Sequence, residues 1–254
     1  MIPESQEGVP GTRPEGIRDE TEAAAHVREM FGRIAPRYDL LNHILSLDVD
    51  KLWRRRVARA FRDVLQDSRA RVLDLCCGTG DLAFAFRKLA PHGARITGSD
   101  FVPEMLARAR SKAEALGAAV DFLEADALQL PFDNATFDLV SCAFGFRNLA
   151  NYERGLQEIL RVLKPGGAAA ILEFAEPPGP IFGALYRFYF RRVLPRLGGL
   201  ISGSSAAYSY LPRSVSKFPA PAELKIQFER AGYVSVNFER WTGGIVTLHT
   251  ARKN

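Results

Sequence analysis

Val72-Leu73-Asp74-Leu75-Cys76-Cys77-Gly78-Thr79-Gly80-Asp81 carries more structural information than any other part of the chain: a short apolar run with one acid inside it, then a turn built on two glycines. The run reads as a buried strand, and the apolar residues after Asp81 read as a helix. Glycines at a strand-to-helix turn let the backbone approach a ligand closely, and the first helical turn points free N–H groups at it. Taken alone, the turn is ambiguous. Gly78-x-Gly80-x-x-Ala83 fits a dinucleotide-binding fingerprint, and Asp100 sits where a ribose-binding acid would lie. Either way, a ligand containing an adenosine is implied.

On both sides of this turn the hydrophobic period keeps changing. Arg71 to Leu75, Ala94 to Ser99, Val120 to Glu124, Phe137 to Ala143 and Ala168 to Phe174 are short apolar runs, with helical stretches near 80–90, 103–116 and 151–163 between them. Strands alternating with helices predict a mostly parallel sheet covered on both faces. Pro103 marks a helix start, and Pro165, Gly166 and Gly167 mark a stop after Leu163. The alternation pauses from Ala175 to Ala220, then resumes with a helix at 221–231 and two strands near 233–240 and 244–251 that read as a closing hairpin.

Upstream, residues 1–18 hold Pro3, Pro10 and Pro14 among glycines without an apolar period, and read as a mobile tail. Residues 19–66 read as helices broken near Pro36 and at Ser46 to Asp50. We therefore expect one α/β domain over 19–254, with 19–66 as a helical lid and 175–220 as an insertion at the substrate entrance.

Composition narrows the classes. Of 254 residues, 47% are hydrophobic, enough for one sizeable core, and three cysteines at 76, 77 and 142 make neither a disulfide framework nor a zinc pattern. That usage points to a reducing cytoplasm. No window approaches the roughly 20 apolar residues of a membrane span, and the first residues lack the basic-then-apolar order of a signal peptide. The net charge of +5 suits an anionic membrane surface, a nucleic acid or an acidic ligand alike.

Two further acids and one missing pair favour S-adenosylmethionine over NAD. Asp74, inside the first strand, is placed to meet a cationic amino-acid and sulfonium group, where a pyrophosphate would be repelled. Asp126, just past the third strand in Glu124-Ala125-Asp126-Ala127, is placed to accept from an adenine amino group, and no Tyr-x-x-x-Lys pair exists for short-chain dehydrogenase chemistry. The order of Asp74, the turn, Asp100 and Asp126 resembles the class I methyltransferases, over about residues 70–174. That resemblance implies a Rossmann-like sheet of seven strands with the last one antiparallel. It also implies S-adenosylmethionine contacts from Asp74, Gly78, Thr79, Gly80, Asp100, Phe101, Asp126, Ala127 and Ala143.

The flanking segments are more specific. Tyr38-Asp39-Leu40-Leu41-Asn42-His43-Ile44-Leu45-Ser46 followed by Trp53, Phe144-Gly145-Phe146-Arg147-Asn148, and Arg161 to Gly167 leading to Glu173 resemble signatures of the quinone-biosynthesis C-methyltransferases. The resemblance continues through Leu194-Pro195, Tyr208-Ser209-Tyr210 and Gly243 to Val246. Departures are Asp50 where many relatives have histidine, Leu41 for methionine, and Ala143 and Ala175 for serine; the paired cysteines and Phe188-Tyr189-Phe190 look more like the menaquinone branch. The implied reaction methylates a ring carbon of a polyprenyl quinol, demethylmenaquinol first and a ubiquinone-pathway benzoquinol as the alternative.

A quinol hydroxyl titrates roughly like tyrosine, near 10, so ring attack is faster when a base takes that proton as the bond forms. By position, Arg147 is expected to hold the developing oxyanion and Asn148 to orient the quinol oxygen, with a structural salt bridge as the other reading of Arg147. Asp39 or His43 is the expected base, with Tyr38 beside them; helix capping and packing are the alternatives. Carbon methylation from a sulfonium needs no metal. Phe182 to Arg196 reads as a basic amphipathic helix able to rest on anionic lipid, or as a core-facing stripe. The basic run Lys51 to Arg62 raises RNA as a partner, against which stands the absence of an Asn/Asp-Pro-Pro-aromatic loop after strand four. A homodimer stays open.

Overall fold

The computed structural model describes residues 11–12, 17, 19–39, 46, 48–179, 183–184, 186, 188–189, 192 and 205–254. Its elements in chain order are α1 (Glu20–Ile34), α2 (Val49–Ala60), α3 (Arg62–Gln66), β1 (Arg71–Leu75), α4 (Asp81–Arg87), β2 (Arg95–Asp100), α5 (Pro103–Leu116) and β3 (Asp121–Glu124). They continue with β4 (Phe137–Ala143), α6 (Tyr152–Val162), β5 (Leu163–Phe174), α7 (Ser205–Lys217), α8 (Pro221–Arg230), β6 (Val234–Trp241) and β7 (Val246–Arg252).

Seven strands form one sheet in the order β3-β2-β1-β4-β5-β7-β6. Strands β1 to β5 pair in parallel, whereas β7 runs antiparallel to both β5 and β6. The expected Rossmann-like sheet with an antiparallel last strand is therefore present. The hairpin inserts β7 beside β5 and leaves β6 at the edge.

The period of two sorts each strand onto two cores. Leu73, Val140 and Ile171 pack with Leu156 and Ile159 of α6 and Phe228 of α8. Val72, Leu139 and Leu172 pack on the opposite face with Trp53 and Val57 of α2 and Leu82 and Phe86 of α4. Asp74 shares the parity of Val72, so the one acid of β1 turns toward α2 and α4. Burying a side chain such as Leu73 or Phe228, both fully shielded, contributes about 1.5–3 kcal/mol.

Two segments differ from the sequence reading. Helix α6 ends at Val162 as the stop signal implied, but β5 begins at Leu163 rather than Ala168 and carries Pro165 to Gly167 as a bulge: Phe137 pairs with Leu163 and Leu139 with Ala168, so Lys164 to Gly167 loop out. Gly166, at φ +74, permits it, and Gly166 N–H and Gly167 C=O both pair with Lys253. Within the expected mobile tail, Gly11 and Thr12 donate to Ala150 O at 3.2 Å and Leu149 O at 2.8 Å, and Thr12 is buried. These bonds satisfy two carbonyls that follow a short helical turn. The remainder of residues 1–18, apart from Ile17, lies outside the described residues.

Candidate active site

The carboxyl ends of β1, β2 and β4 and the loop after β3 surround one cavity, roofed by α1, the turn at Tyr38 and α2. Its floor is the glycine turn. Gly78 and Gly80 hold φ of +54 and +86, a left-handed geometry in which an L side chain is strained. A Cβ at Gly80 would also sit 3.0 Å from the rings of Phe84 and Phe122.

Asp74 is 1% exposed yet lines the cavity. One carboxylate oxygen accepts from Ala83 N–H at 3.0 Å and the other from Ser141 Oγ–H at 3.2 Å. Burial dominates these bonds and pushes its pKa up to about 7. Asp100 accepts from Gly78 N–H at 2.8 Å and Val102 N–H at 2.9 Å, and burial pushes it up to about 6. Asp126 accepts from Leu128 N–H at 2.8 Å and leaves its head on the cavity wall.

Of the other expected cofactor residues, Gly78, Thr79, Phe101, Ala127 and Ala143 line the cavity, while Gly80 shapes the turn from behind. Among the expected catalytic residues, Tyr38 and Asn148 line it. Asn148 Oδ1 accepts from Tyr210 O–H at 3.0 Å. Asp39 is tied to the glycine turn: it accepts from Thr79 Oγ–H and, at 3.0 Å, from Lys112, whose ammonium also reaches Asp81 at 2.6 Å. Asn42 and His43 lie outside the described residues.

Arg147 is buried but is not among the lining residues. Its Nη1 donates to Glu173 at 2.9 and 3.1 Å and to Phe144 O, and its Nε–H is buried without a partner. Glu173 is 1% exposed at its side chain, so the pair is fully internal. Burial raises the Glu173 carboxyl while Arg147 opposes that shift.

Sequence reasoning missed Lys112, Tyr210 and Arg54. Lys112 carries no local mark, and Tyr210 stood in the Tyr208-Ser209-Tyr210 stretch without a role, because their partners stand 73 and 62 residues away. Arg54 was visible only as part of a basic run, and that run is not one surface. Arg54 turns into the cavity, Arg56 stacks 4.2 Å from the Trp241 ring and pairs with Glu239, and Lys51 pairs with Asp48. The Asp50-x-x-x-Arg54 spacing, one helical turn apart, was the available signal.

Two buried carboxylates line the cavity with no salt bridge to either among the described residues, and although the Arg54 charge eases Asp74, burial is costly to both and pushes them toward the neutral form. A ligand with an ammonium and a sulfonium near Asp74, and a ribose whose hydroxyls donate to Asp100, resolves that cost, so these residues fit S-adenosylmethionine. Fold and site together define a class I S-adenosylmethionine-dependent methyltransferase. Solved structures agree on the fold: a methyltransferase from Thermotoga maritima, described as possibly a histamine N-methyltransferase, superposes with TM-score 0.62 at 18% identity, covering 89% of this chain and 99% of that one. One from Aquifex aeolicus superposes with TM-score 0.56 at 21% identity, covering 76% and 87%.

The profile of the ubiE/COQ5 methyltransferase family matches residues 18–253, and the chain belongs to that family. It is 55% identical to a demethylmenaquinone methyltransferase of Thermus thermophilus over 87% of this chain and 98% of that protein. A demethylmenaquinone methyltransferase of Deinococcus radiodurans is 48% identical over 93% and 96%. The ubiquinone/menaquinone biosynthesis C-methyltransferase UbiE of Geobacter sulfurreducens is 43% identical over 92% and 90%.

Proposed function

We propose that the protein transfers the methyl group of S-adenosylmethionine to the unsubstituted ring carbon of demethylmenaquinol, giving menaquinol. The observation that carries the substrate is the 55% identity to a demethylmenaquinone methyltransferase, spread over 98% of that relative. When bound, the cofactor supplies an electrophilic methyl group on a cationic sulfur. Asp74 holds the cationic end, Asp100 the ribose and Asp126 the adenine amino group.

Asn148 and Tyr38 stand on the cavity wall where the quinol ring enters. Asn148, fixed through its Oδ1 by Tyr210, offers its amide N–H to the quinol oxygen. Arg147, fixed by Glu173, lends positive charge to the oxyanion that develops as the ring attacks. Arg147→Ala is expected to depress turnover much more than cofactor affinity; equal losses in both remove this role. The proton acceptor is Asp39 or His43. A pH–rate profile unchanged in His43→Ala leaves Asp39, and an altered one selects the imidazole.

The helices of residues 19–66 act as a lid, and Asp39 joins that lid to the glycine turn through Thr79 and Lys112. Among the described residues, no helix is long and apolar enough to cross a membrane. Since the substrate tail is lipid-soluble, the 182–196 segment rests on anionic lipid at the cytoplasmic membrane face. Most of that segment lies outside the described residues, but Phe188 and Tyr189 within it are exposed, Phe188 by 62%. Flotation with anionic liposomes that is lost in an Arg187, Arg191 and Arg192 triple alanine variant supports this; no flotation of the wild type overturns it.

The deciding experiment is mass spectrometry of two reduced, short-tailed quinols after incubation with S-adenosylmethionine. A gain of one methyl by the demethylnaphthoquinol is expected. Methylation of a 6-methoxybenzoquinol alone, or of neither, overturns the substrate assignment.

A further inference from the structure

Helix α2 presents several basic residues to solvent, but one of them is spent inside. Arg54 is 8% exposed and lines the cavity that holds Asp74 and the glycine turn. Asp50, one turn earlier and 4% exposed, pairs with Nη1 of its guanidinium. Asp50 is itself held by Ser46 Oγ–H at 2.7 Å, and the Arg54 guanidinium lies 5.4 Å from the centre of the Phe144 ring. The head group is thus aimed by two neighbours rather than left to wander.

A guanidinium has five N–H donors in a planar fork. The Asp50 bond is the one hydrogen bond that the Arg54 guanidinium makes among the described residues, so most of the fork is uncommitted. Taking such a cation out of water is costly unless hydrogen-bond acceptors, an incoming anion among them, satisfy its remaining protons. The cavity surface around it points to the anion. Arg54 approaches from α2, which packs on α4, and its charge acts on Asp74 and Asp81 of the same cavity wall. Asp74 feels Arg54 directly, since the guanidinium opposes the upward shift that burial imposes on that carboxyl.

The amino-acid end of S-adenosylmethionine is a zwitterion, with an ammonium and a carboxylate on the same carbon. A site that supplies only Asp74 satisfies one half and repels the other. We propose that Arg54 binds the α-carboxylate of S-adenosylmethionine, forming with Asp74 a two-sign clamp on the amino-acid end, with Asp50 as the residue that positions it. This rests on the cavity being the S-adenosylmethionine site. It also accounts for the acid at position 50: a carboxylate there turns the arginine of the next turn inward.

The test compares three ligands by calorimetry on the full chain: S-adenosylmethionine, S-adenosylhomocysteine, and decarboxylated S-adenosylmethionine, which keeps adenosine, sulfonium and amine but lacks the carboxylate. The variant is Asp50→Leu with Arg54→Met, which removes both members of the buried pair and leaves neither charge orphaned. A charge-assisted fork is expected to contribute roughly 10- to 100-fold in affinity, so the variant loses that factor for the two carboxylate-bearing ligands and none for the decarboxylated one. Arg54→Lys, which keeps the charge but not the fork, is expected to fall between wild type and the double variant. Equal weakening toward all three ligands, or undiminished S-adenosylmethionine binding by the double variant, overturns the proposal. Failure of the wild type to bind any of the three instead removes the cofactor site itself, and this inference with it.

Discussion

The two ends of the parallel strands handle charge in opposite ways. At the amino ends, Asp138 accepts from Arg71 N–H at 2.8 Å and from Lys164 at 2.7 Å, and Arg161 donates to Leu130 O at 2.9 Å and Phe132 O at 2.8 Å. Lys253 closes the same edge on Leu160 O and Leu163 O, both at 2.8 Å. Each charge there meets a fixed partner, and Arg161 pulls the Glu158 carboxyl below its ordinary pKa. At the carboxyl ends, burial instead lifts Asp74 to about 7 and Asp100 to about 6. Acids at the first edge complete the fold, whereas Asp74 and Asp100 at the second have no salt bridge among the described residues and stay raised by burial. Among the described residues, a salt bridge to Asp138, Glu158 and Glu173, and none to Asp74 or Asp100, therefore separates the two groups more clearly than burial alone.

The exception within the carboxyl edge is Glu173, which is buried but paired with Arg147. Glu173→Ala should produce the largest stability loss, about 3–5 kcal/mol, because it strands a buried guanidinium; thermal unfolding of the ligand-free protein measures it. Asp74→Asn should do the reverse. Its S-adenosylmethionine affinity should fall roughly 10- to 100-fold by calorimetry, while the ligand-free protein at pH 8 melts no lower than wild type. A large drop in melting temperature with intact affinity would make Asp74 structural and dissolve the contrast between the edges.

The pH dependence sharpens the same point. With folded-state values raised from 3.8 to about 7 and about 6, the folded protein holds more protons than the unfolded chain across that window. These two groups therefore make ligand-free stability fall as pH rises from about 4 to about 7, and Asp74→Asn should flatten the fall. A chemical denaturation series across that window, with and without the variant, provides the check. Gly80→Ala should cost about 1–2 kcal/mol through its positive φ, with further loss from contact with Phe84 and Phe122. The smallest effect belongs to the amino edge: Lys164→Ala breaks a part-exposed pair, so at most about 1 kcal/mol and no change in cofactor affinity are expected from melting and calorimetry.

Much of this protein was legible in its sequence because the relevant forces are local. Short apolar runs separated by helical stretches located the seven strands within a few residues, and the glycines after Leu75 marked a turn, which the structure builds with left-handed backbone at Gly78 and Gly80. Asp74, Asp100 and Asp126 were readable because a parallel sheet places successive strand ends along one edge, so position in the alternation is position in the site. What the sequence by itself could not determine was which charges meet. Arg54 and Arg56 stand two residues apart on one helix, yet one enters the cavity and the other stacks on Trp241. Lys112 joins Asp39 to Asp81, and Arg147 finds Glu173, across gaps that only the closed fold spans. Burial and pairing of a charge depend on distances between elements, and those distances exist only once the helices have packed on the sheet.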